Sequence, residues 1–157
     1  MTSERIDLLE RGDNFAPATI RVNWSGTANV GPNSTTTLPI TGSAELSGNI
    51  FEYLSSSQAL RIKQAGIIGF SVVVLCGTNG NGNIRVMMRQ ASPTHDWAMV
   101  QQPYYTQPAF AFLSGGVRFV DVPADGANYQ IWVMNSGGGG TVTLYAITIR
   151  LVYLGRR

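Results

Sequence analysis

The chain has 157 residues, of which 44% are hydrophobic and only 13% charged, and its net charge is +2. A chain of this length can bury a full core as one domain, and so small a net charge argues against a nucleic-acid partner. Typical domains carry about 25% charged residues. A free monomer of this composition would be poorly soluble, so a buried subunit interface is expected.

Residues 1–18 are predicted to form an N-terminal arm. Thr2 or Ser3 would cap a short helix over residues 1–16, although an isolated helix of this length is marginal in water. The arm contains Arg-Gly-Asp at residues 11–13, and chance is the favoured explanation for so short a motif. Because the arm is charged and unlike a signal peptide, we expect synthesis in a cytoplasm and no secretion.

Residues 19–157 are predicted to form one all-β domain. Apolar, β-branched runs begin with "ATIRVNW" at 18–24 and include "GIIGFSVVVLCG" at 66–77, which is expected to be buried on both faces. "TNGNG" at 78–82 predicts a hairpin turn. Many short strands with turn signals between them indicate a sandwich, so we predict a single jelly roll of about eight to ten antiparallel strands.

Residues 91–108 are predicted to be an excursion rich in proline and aromatic residues. Its candidate recognition loop has five members, some of which would bind a sugar or a partner: His95, Asp96, Trp97, Tyr104 and Tyr105. For the first three, a simpler interpretation is favoured, in which the tryptophan tucks under the loop and the histidine is solvated. For the two tyrosines, a loop fixed by Pro103 and Pro108 is an equal alternative.

Catalytic chemistry has little support in the sequence. His95 is the only histidine, which excludes a two-histidine metal site, and Cys76 lies within a hydrophobic strand where a thiol is usually inert. No carboxylate pair, calcium loop or phosphate loop is recognised. We therefore expect no enzyme activity, no metal and no cofactor. No apolar run is long enough to suggest membrane insertion.

The closing strand, "TVTLYAITIRLVYLG" at 141–155, has almost no polar side. Strand alternation from Tyr145 onward predicts that the odd-numbered residues fill the core and that the even-numbered residues meet another subunit. In the opposite assignment, Tyr145 and Tyr153 line the interface instead. The candidate interface residues are Tyr145, Thr148, Arg150, Val152 and Tyr153.

Three stretches resemble the trimeric jelly rolls of the tumour-necrosis-factor and complement-globular-head superfamily. "ALRIKQAGIIGFSVVVL" is similar to a strand, a small-residue turn and a following aliphatic strand. "VPADGANYQIWVMN" is similar to the turn before the penultimate strand, and "TLYAITIRLVYLG" is similar to the last strand, near the threefold axis. The first stretch matches through Gly66, Phe70, Ser71, Val72 and Val74.

The resemblance implies a homotrimer, and it covers about two thirds of the chain. Without a signal peptide, a collagen-like stalk or a disulfide, the relevant relatives are phage fibre knobs, needle tips and head-decoration proteins. We therefore expect a non-enzymatic virion protein that decorates a capsid or attaches to a host surface glycan or protein. The arm would bind other virion proteins.

Two alternatives remain at this point. The first is a jelly-roll shell protein that encloses a genome, against which the net acidic arm counts, because coats commonly use basic arms. The second is a carbohydrate-binding module that uses the candidate recognition loop.

Overall fold

The computed structural model describes residues 18–46, 50–91, 94–122 and 126–156. These ranges contain eleven strands, slightly more than the eight to ten predicted. They are β1 (Thr19–Val30), β2 (Ser34–Leu38), β3 (Thr41–Leu46), β4 (Phe51–Leu54), β5 (Ala59–Ile62), β6 (Gly66–Asn79), β7 (Gly82–Ala91), β8 (Thr94–Tyr104), β9 (Gln107–Val120), β10 (Ala127–Ser136) and β11 (Thr141–Gly155).

The strands form two antiparallel sheets. Sheet A has the order β3-β1-β11-β6-β9, and sheet B has the order β4-β5-β10-β7-β8, with β2 also pairing with β10. Neighbours in space are mostly distant in sequence, as in a jelly roll. The predicted all-β sandwich is therefore confirmed. The arm and its helix lie outside the described residues except for Ala18, so the boundary at residue 18 stays a prediction.

The core fills the space between the two sheets. Alternation places every second side chain of β10 inside, from Ala127 to Asn135, and the same rule buries Ile84, Val86 and Met88 on β7 as the sequence pattern predicted. Aromatic rings pack against each other across the sandwich. Phe70 of β6 and Trp97 of β8 form a T-shaped pair with a centroid distance of 5.4 Å.

The turn at residues 78–82 is not a hairpin, and that prediction is wrong. It joins β6 of sheet A to β7 of sheet B, and the glycine-rich loop at 137–140 makes a second crossing beside it. A Cβ on Gly80 would lie 2.8 Å from the Cα of Gly140, and the Gly140 N–H donates to Asn81 O at 3.0 Å. The glycines are required because two backbones touch.

Residues 94–104 form a strand, which corrects the predicted excursion over 91–108. Proline and aromatic content suggested a loop, yet β8 pairs with β7 from Ala91↔Thr94 to Gly82↔Tyr104. Pro103 is tolerated because β8 is the edge strand of sheet B, where one side of the backbone needs no partner.

A buried amide fixes the end of the sandwich where these crossings lie. The Asn135 side chain is 1% exposed, and its Nδ2 donates to Val30 O at 2.9 Å and to Gly140 O at 2.9 Å. Its Oδ1 accepts a hydrogen bond from the Tyr104 hydroxyl at 2.6 Å. One side chain therefore ties β10, the end of β1, the glycine-rich loop and β8 together.

Candidate functional site: the apolar face of sheet A

Exposed apolar side chains are concentrated on the outer face of sheet A, the side turned away from the core. Of the eight large hydrophobic side chains that the described residues expose, seven lie there, and only Tyr105 lies elsewhere. We call these seven the apolar face: Val73, Leu75, Leu113, Val117, Phe119, Tyr145 and Leu154. Leu113 is 76% exposed and Val117 is 64% exposed.

The register of β9, β6 and β11 makes this face continuous. Leu113 lies opposite Val73, which lies opposite Thr148, and Val117 lies opposite Gly69, which lies opposite Val152. A patch that spans three neighbouring strands differs from scattered surface leucines. Contiguous exposed apolar patches of this kind mark interaction surfaces.

A shallow hollow of about 320 Å³ interrupts the apolar face. The glycines at its floor leave room that a partner's side chain could fill, and Arg150 and Ser71 supply its polar groups. Arg150 lies directly opposite Arg21 on β1 and opposite Ser71 on β6. The lining residues are Gly69, Phe70, Ser71, Gly116, Arg150, Val152 and Leu154.

A β-bulge at Tyr145 decides which side of the last strand faces out. The β11–β6 register shifts between Leu144 and Ala146, so the alternation changes phase there. Val142 and Leu144 are buried before the bulge, and Ile147, Ile149 and Leu151 are buried after it. The prediction that odd-numbered residues fill the core is confirmed from Ile147 to Leu151, but it is wrong for Tyr145, which points outward.

The structure separates the predicted interface residues into two groups. Thr148, Arg150 and Val152 lie on the outer side of sheet A, and the bulge adds Tyr145 to them. Tyr153 lies on the core side, where its hydroxyl donates to Ala65 O at 3.0 Å. Gly66 makes room for this ring, because a Cβ there would lie 2.6 Å from Cε2 of Tyr153. The interface role of these five residues stays a prediction.

The predicted recognition residues do not form one exposed loop. Trp97 is 1% exposed and belongs to the core, and Tyr104 is buried against Asn135. Asp96 accepts two hydrogen bonds from Arg89, at 2.6 and 3.0 Å. His95 lies in β8 opposite Gln90, and Tyr105, in the turn after β8, is 74% exposed. A recognition role for these residues stays a prediction, without the shared loop that suggested it.

Burial shifts the titration of the inward-facing groups. It raises the pKa of the Cys76 thiol from 9.0 to about 11, because the thiolate would lie in an apolar core. It also raises the pKa of Tyr104, although the hydrogen bond to Asn135 acts in the opposite direction. A thiol with a raised pKa is a poor nucleophile, in keeping with the inert thiol predicted at Cys76.

Within the ranges that the structure describes, no three histidine, cysteine, aspartate or glutamate side chains come together as a metal site would require. In the same ranges, no helix has the length and apolarity needed to cross a bilayer.

Sequence reasoning missed the largest part of the apolar face, on β9. The signal was present in "AFAFLSGGVRFV" at 109–120, where apolar residues occupy both alternating sets. Phe112 and Val120 point into the core, while Leu113, Val117 and Phe119 point outward. A strand whose two sides are both apolar indicates that both of its faces are covered.

Comparison with known proteins gives structural matches alone. No family model and no curated protein match the sequence. Eiger TNF from S. frugiperda superposes with a TM-score of 0.59 at 12% identity, over 90% of this chain and 95% of that one. PRD1 vertex protein P5 superposes with a TM-score of 0.58 at 13% identity, over 90% and 100%. Murine APRIL at pH 5.0 gives 0.58 at 10% identity, over 87% and 98%.

Identities this low establish the fold and nothing finer. The matches extend over nearly the whole described sandwich, and they agree with the two-sheet topology and with the resemblance found in the sequence. The chain has a TNF-like jelly-roll fold.

Proposed function

We propose that this chain is a non-enzymatic structural protein of a phage virion, which assembles as a homotrimer through the apolar face of sheet A. The observation that carries the proposal is the concentration of exposed apolar side chains on this one face. Leaving such a patch in water is unfavourable by about 25 cal/mol for each Å². A second and a third copy of the same chain would cover it.

Self-association is favoured over a foreign partner by two features. Only 13% of the residues are charged, and so low a charge content suits a subunit that is not free in solution. The resemblance seen in the sequence is to jelly rolls that are trimers, whose last strand lies near the threefold axis. In this arrangement Thr148, Arg150 and Val152 meet the neighbouring subunit.

The virion assignment draws on the likeness to PRD1 vertex protein P5. The work we propose is capsid decoration or attachment to a host surface, with the N-terminal arm mounted on other virion proteins. The described chain begins at the end of sheet A where Thr19 pairs with Val152. The opposite end of the sandwich would then point away from the particle.

Light-scattering mass of the purified protein tests the trimer. The expected mass is three times 16.9 kDa, about 51 kDa, and a mass of 16.9 kDa at micromolar concentration would contradict the proposal. Electron cryo-microscopy of the parent particle tests the location. We expect threefold-symmetric density on the outside of the capsid or at a fibre tip. Density continuous with the shell lattice would favour the alternative of a shell protein.

A further inference from the structure

A second hollow, of about 460 Å³, lies at the far end of sheet A, where β6 ends and β9 and β11 begin. Its volume is within the range of small-molecule binding sites. Four strands contribute to it: β1, β6, β9 and β11. Its lining residues are Asn29, Gly77, Thr78, Asn79, Gln107, Pro108, Ala109, Thr141, Thr143 and Tyr145.

The lining of this end hollow combines polar and apolar groups and carries no charge. Three side chains are amides, three are hydroxyls of threonine, and one is the phenol of Tyr145. Amides and hydroxyls both donate and accept hydrogen bonds, as sugar hydroxyls do. An aromatic ring with a polar tip provides an apolar surface for the C–H face of a pyranose. A charged ligand would find no opposite charge among these ten residues.

We propose that the end hollow is a binding site for a neutral carbohydrate, with Asn79 and Gln107 as hydrogen-bonding groups. Its stacking surface is Tyr145, which is the residue of the apolar face nearest this end and which the trimer leaves accessible. The end hollow is separate from the candidate recognition loop, in which Trp97 and Tyr104 are buried. The proposal deepens the attachment role and rests on the proposed function for the source of the sugar, a host-surface glycan.

The geometry of the hollow is fixed before any ligand arrives. The bulge turns Tyr145 outward, and its ring lies beside Gly77 of β6, where a Cβ would be 3.6 Å from the ring's Cε2, an ordinary contact distance. The Thr143 hydroxyl donates to Asn29 Oδ1 at 2.9 Å, which orients that amide. Asn135 ties the backbone at Val30 and Gly140, next to the lining residues. Such pre-organisation reduces the entropic cost of binding.

The position of the hollow suits attachment. Along the β1–β11 pair, Thr19 lies opposite Val152 at one end, and Asn29 lies opposite Thr143 at the other. The hollow is therefore at the end of the sandwich opposite Ala18, where the described part of the chain starts. If the arm is mounted on the particle, this end is the one presented to a host.

Saturation-transfer NMR with the full chain tests the site. The probes are glucose, galactose, mannose, N-acetylglucosamine and their β-linked disaccharides, with N-acetylneuraminic acid as the charged comparison. We expect saturation transfer to at least one neutral sugar and none to the charged one. The double variant Asn79→Ala/Gln107→Ala should weaken binding at least tenfold. Both positions are exposed, so this variant should fold. Gln101→Ala, an exposed amide on sheet B, is the matched control and should bind as the unchanged protein does.

Several outcomes would overturn the inference. These are no transfer to any neutral sugar, transfer to the charged sugar alone, or unchanged affinity in the double variant. Tyr145→Ala should also weaken sugar binding, while Tyr145→Phe should retain the contribution of ring stacking to the affinity. A glycan array of host-surface oligosaccharides then separates a surface glycan from a free sugar as the natural ligand. Light-scattering mass on the same samples reports on the trimer independently, so either proposal can fail alone.

Discussion

The outer faces of the two sheets have opposite chemistry. On sheet A, the exposed side chains of β6, β9 and β11 are mainly aliphatic or aromatic. On sheet B, polar side chains cover the outer face and bond to one another: Arg85 donates to Gln101 at 2.9 Å, and Arg61 donates to Asn128 at 3.0 Å. Arg89 bonds to Asp96 and also lies 4.1 Å above the centroid of the Trp132 ring.

This difference supports the proposal that sheet B is the side that faces solvent in the assembly. Sheet B covers its outer apolar surface with its own arginines, in the way that a permanent solvent face does. Sheet A leaves its outer apolar surface uncovered within one chain. Both sheets pack on one core, so this contrast is the one expected if the proposed assembly covers sheet A alone.

The largest expected effect comes from a charge on the apolar face. Val117→Glu should change the light-scattering mass from about 51 kDa to the single-chain value of 16.9 kDa, because an unpaired carboxylate in an interface costs several kcal/mol. The isolated fold should tolerate it, since Val117 is 64% exposed.

Thr35→Glu is the matched control for this change. Thr35 is also β-branched and exposed, but it lies opposite Met134 on the outer side of sheet B. The control should remain a trimer. Dissociation of the Thr35→Glu variant, or an intact trimer of the Val117→Glu variant, would reverse the assignment of the two faces.

The inner side of sheet A should respond to pH through Cys76. Its pKa rises from 9.0 to about 11 on folding, so the unfolded thiol ionises first as the pH increases. The stabilisation is fully present below pH 9 and is lost between pH 9 and 11. At pH 10 the loss should reach about 1.4 kcal/mol, one pKa unit.

Denaturant unfolding at pH 8 and pH 10 measures this loss, and Cys76→Ala should remove that part of the pH dependence. The folded protein should also be unreactive toward a thiol reagent at pH 8 and should react with one thiol per chain once unfolded. Rapid labelling of the folded protein would contradict the inward orientation of this side chain.

The smallest effect is expected on the outer side of sheet B. Arg89→Ala removes both the paired contact with Asp96 and the contact with Trp132, and it should cost about 1 kcal/mol. That loss corresponds to a Tm lower by about 2–4 °C for a chain of this size. Calorimetry measures the shift, and light scattering should still give the trimer mass. A change in mass would mean that this face is also an interface.

The fold class could be predicted from the sequence because the patterns that indicate strands and turns lie in neighbouring residues. Alternating β-branched residues on β6, β7 and β10, with turn residues between them, predicted the strands and the sandwich. The turn at 78–82 was misassigned because Asn-Gly reports only that the chain reverses. Whether it returns to the same sheet or crosses to the other depends on partners far away in sequence.

The candidate site was less accessible, and Tyr145 shows why. The face toward which its side chain points depends on one extra residue in β11 relative to β6, and no local sequence pattern reveals that residue. The inward position favoured for Trp97 is confirmed, but the histidine, aspartate and proline beside it suggested a loop, whereas the residue lies in β8 and its ring packs against Phe70. A bulge and a ring contact each depend on residues brought together only by the fold.

By itself, the sequence determined that this is a charge-poor, all-β chain with too much apolar surface for one set of core-facing positions, because composition and alternation are properties of neighbouring residues. Only the tertiary structure decided where the surplus lies. Pairing β9 with β6, and β6 with β11, gathers Leu113, Val73 and their neighbours on one face, and the bulge adds Tyr145 to it. Exposure belongs to a three-dimensional surface, so it is fixed only when distant strands take their places.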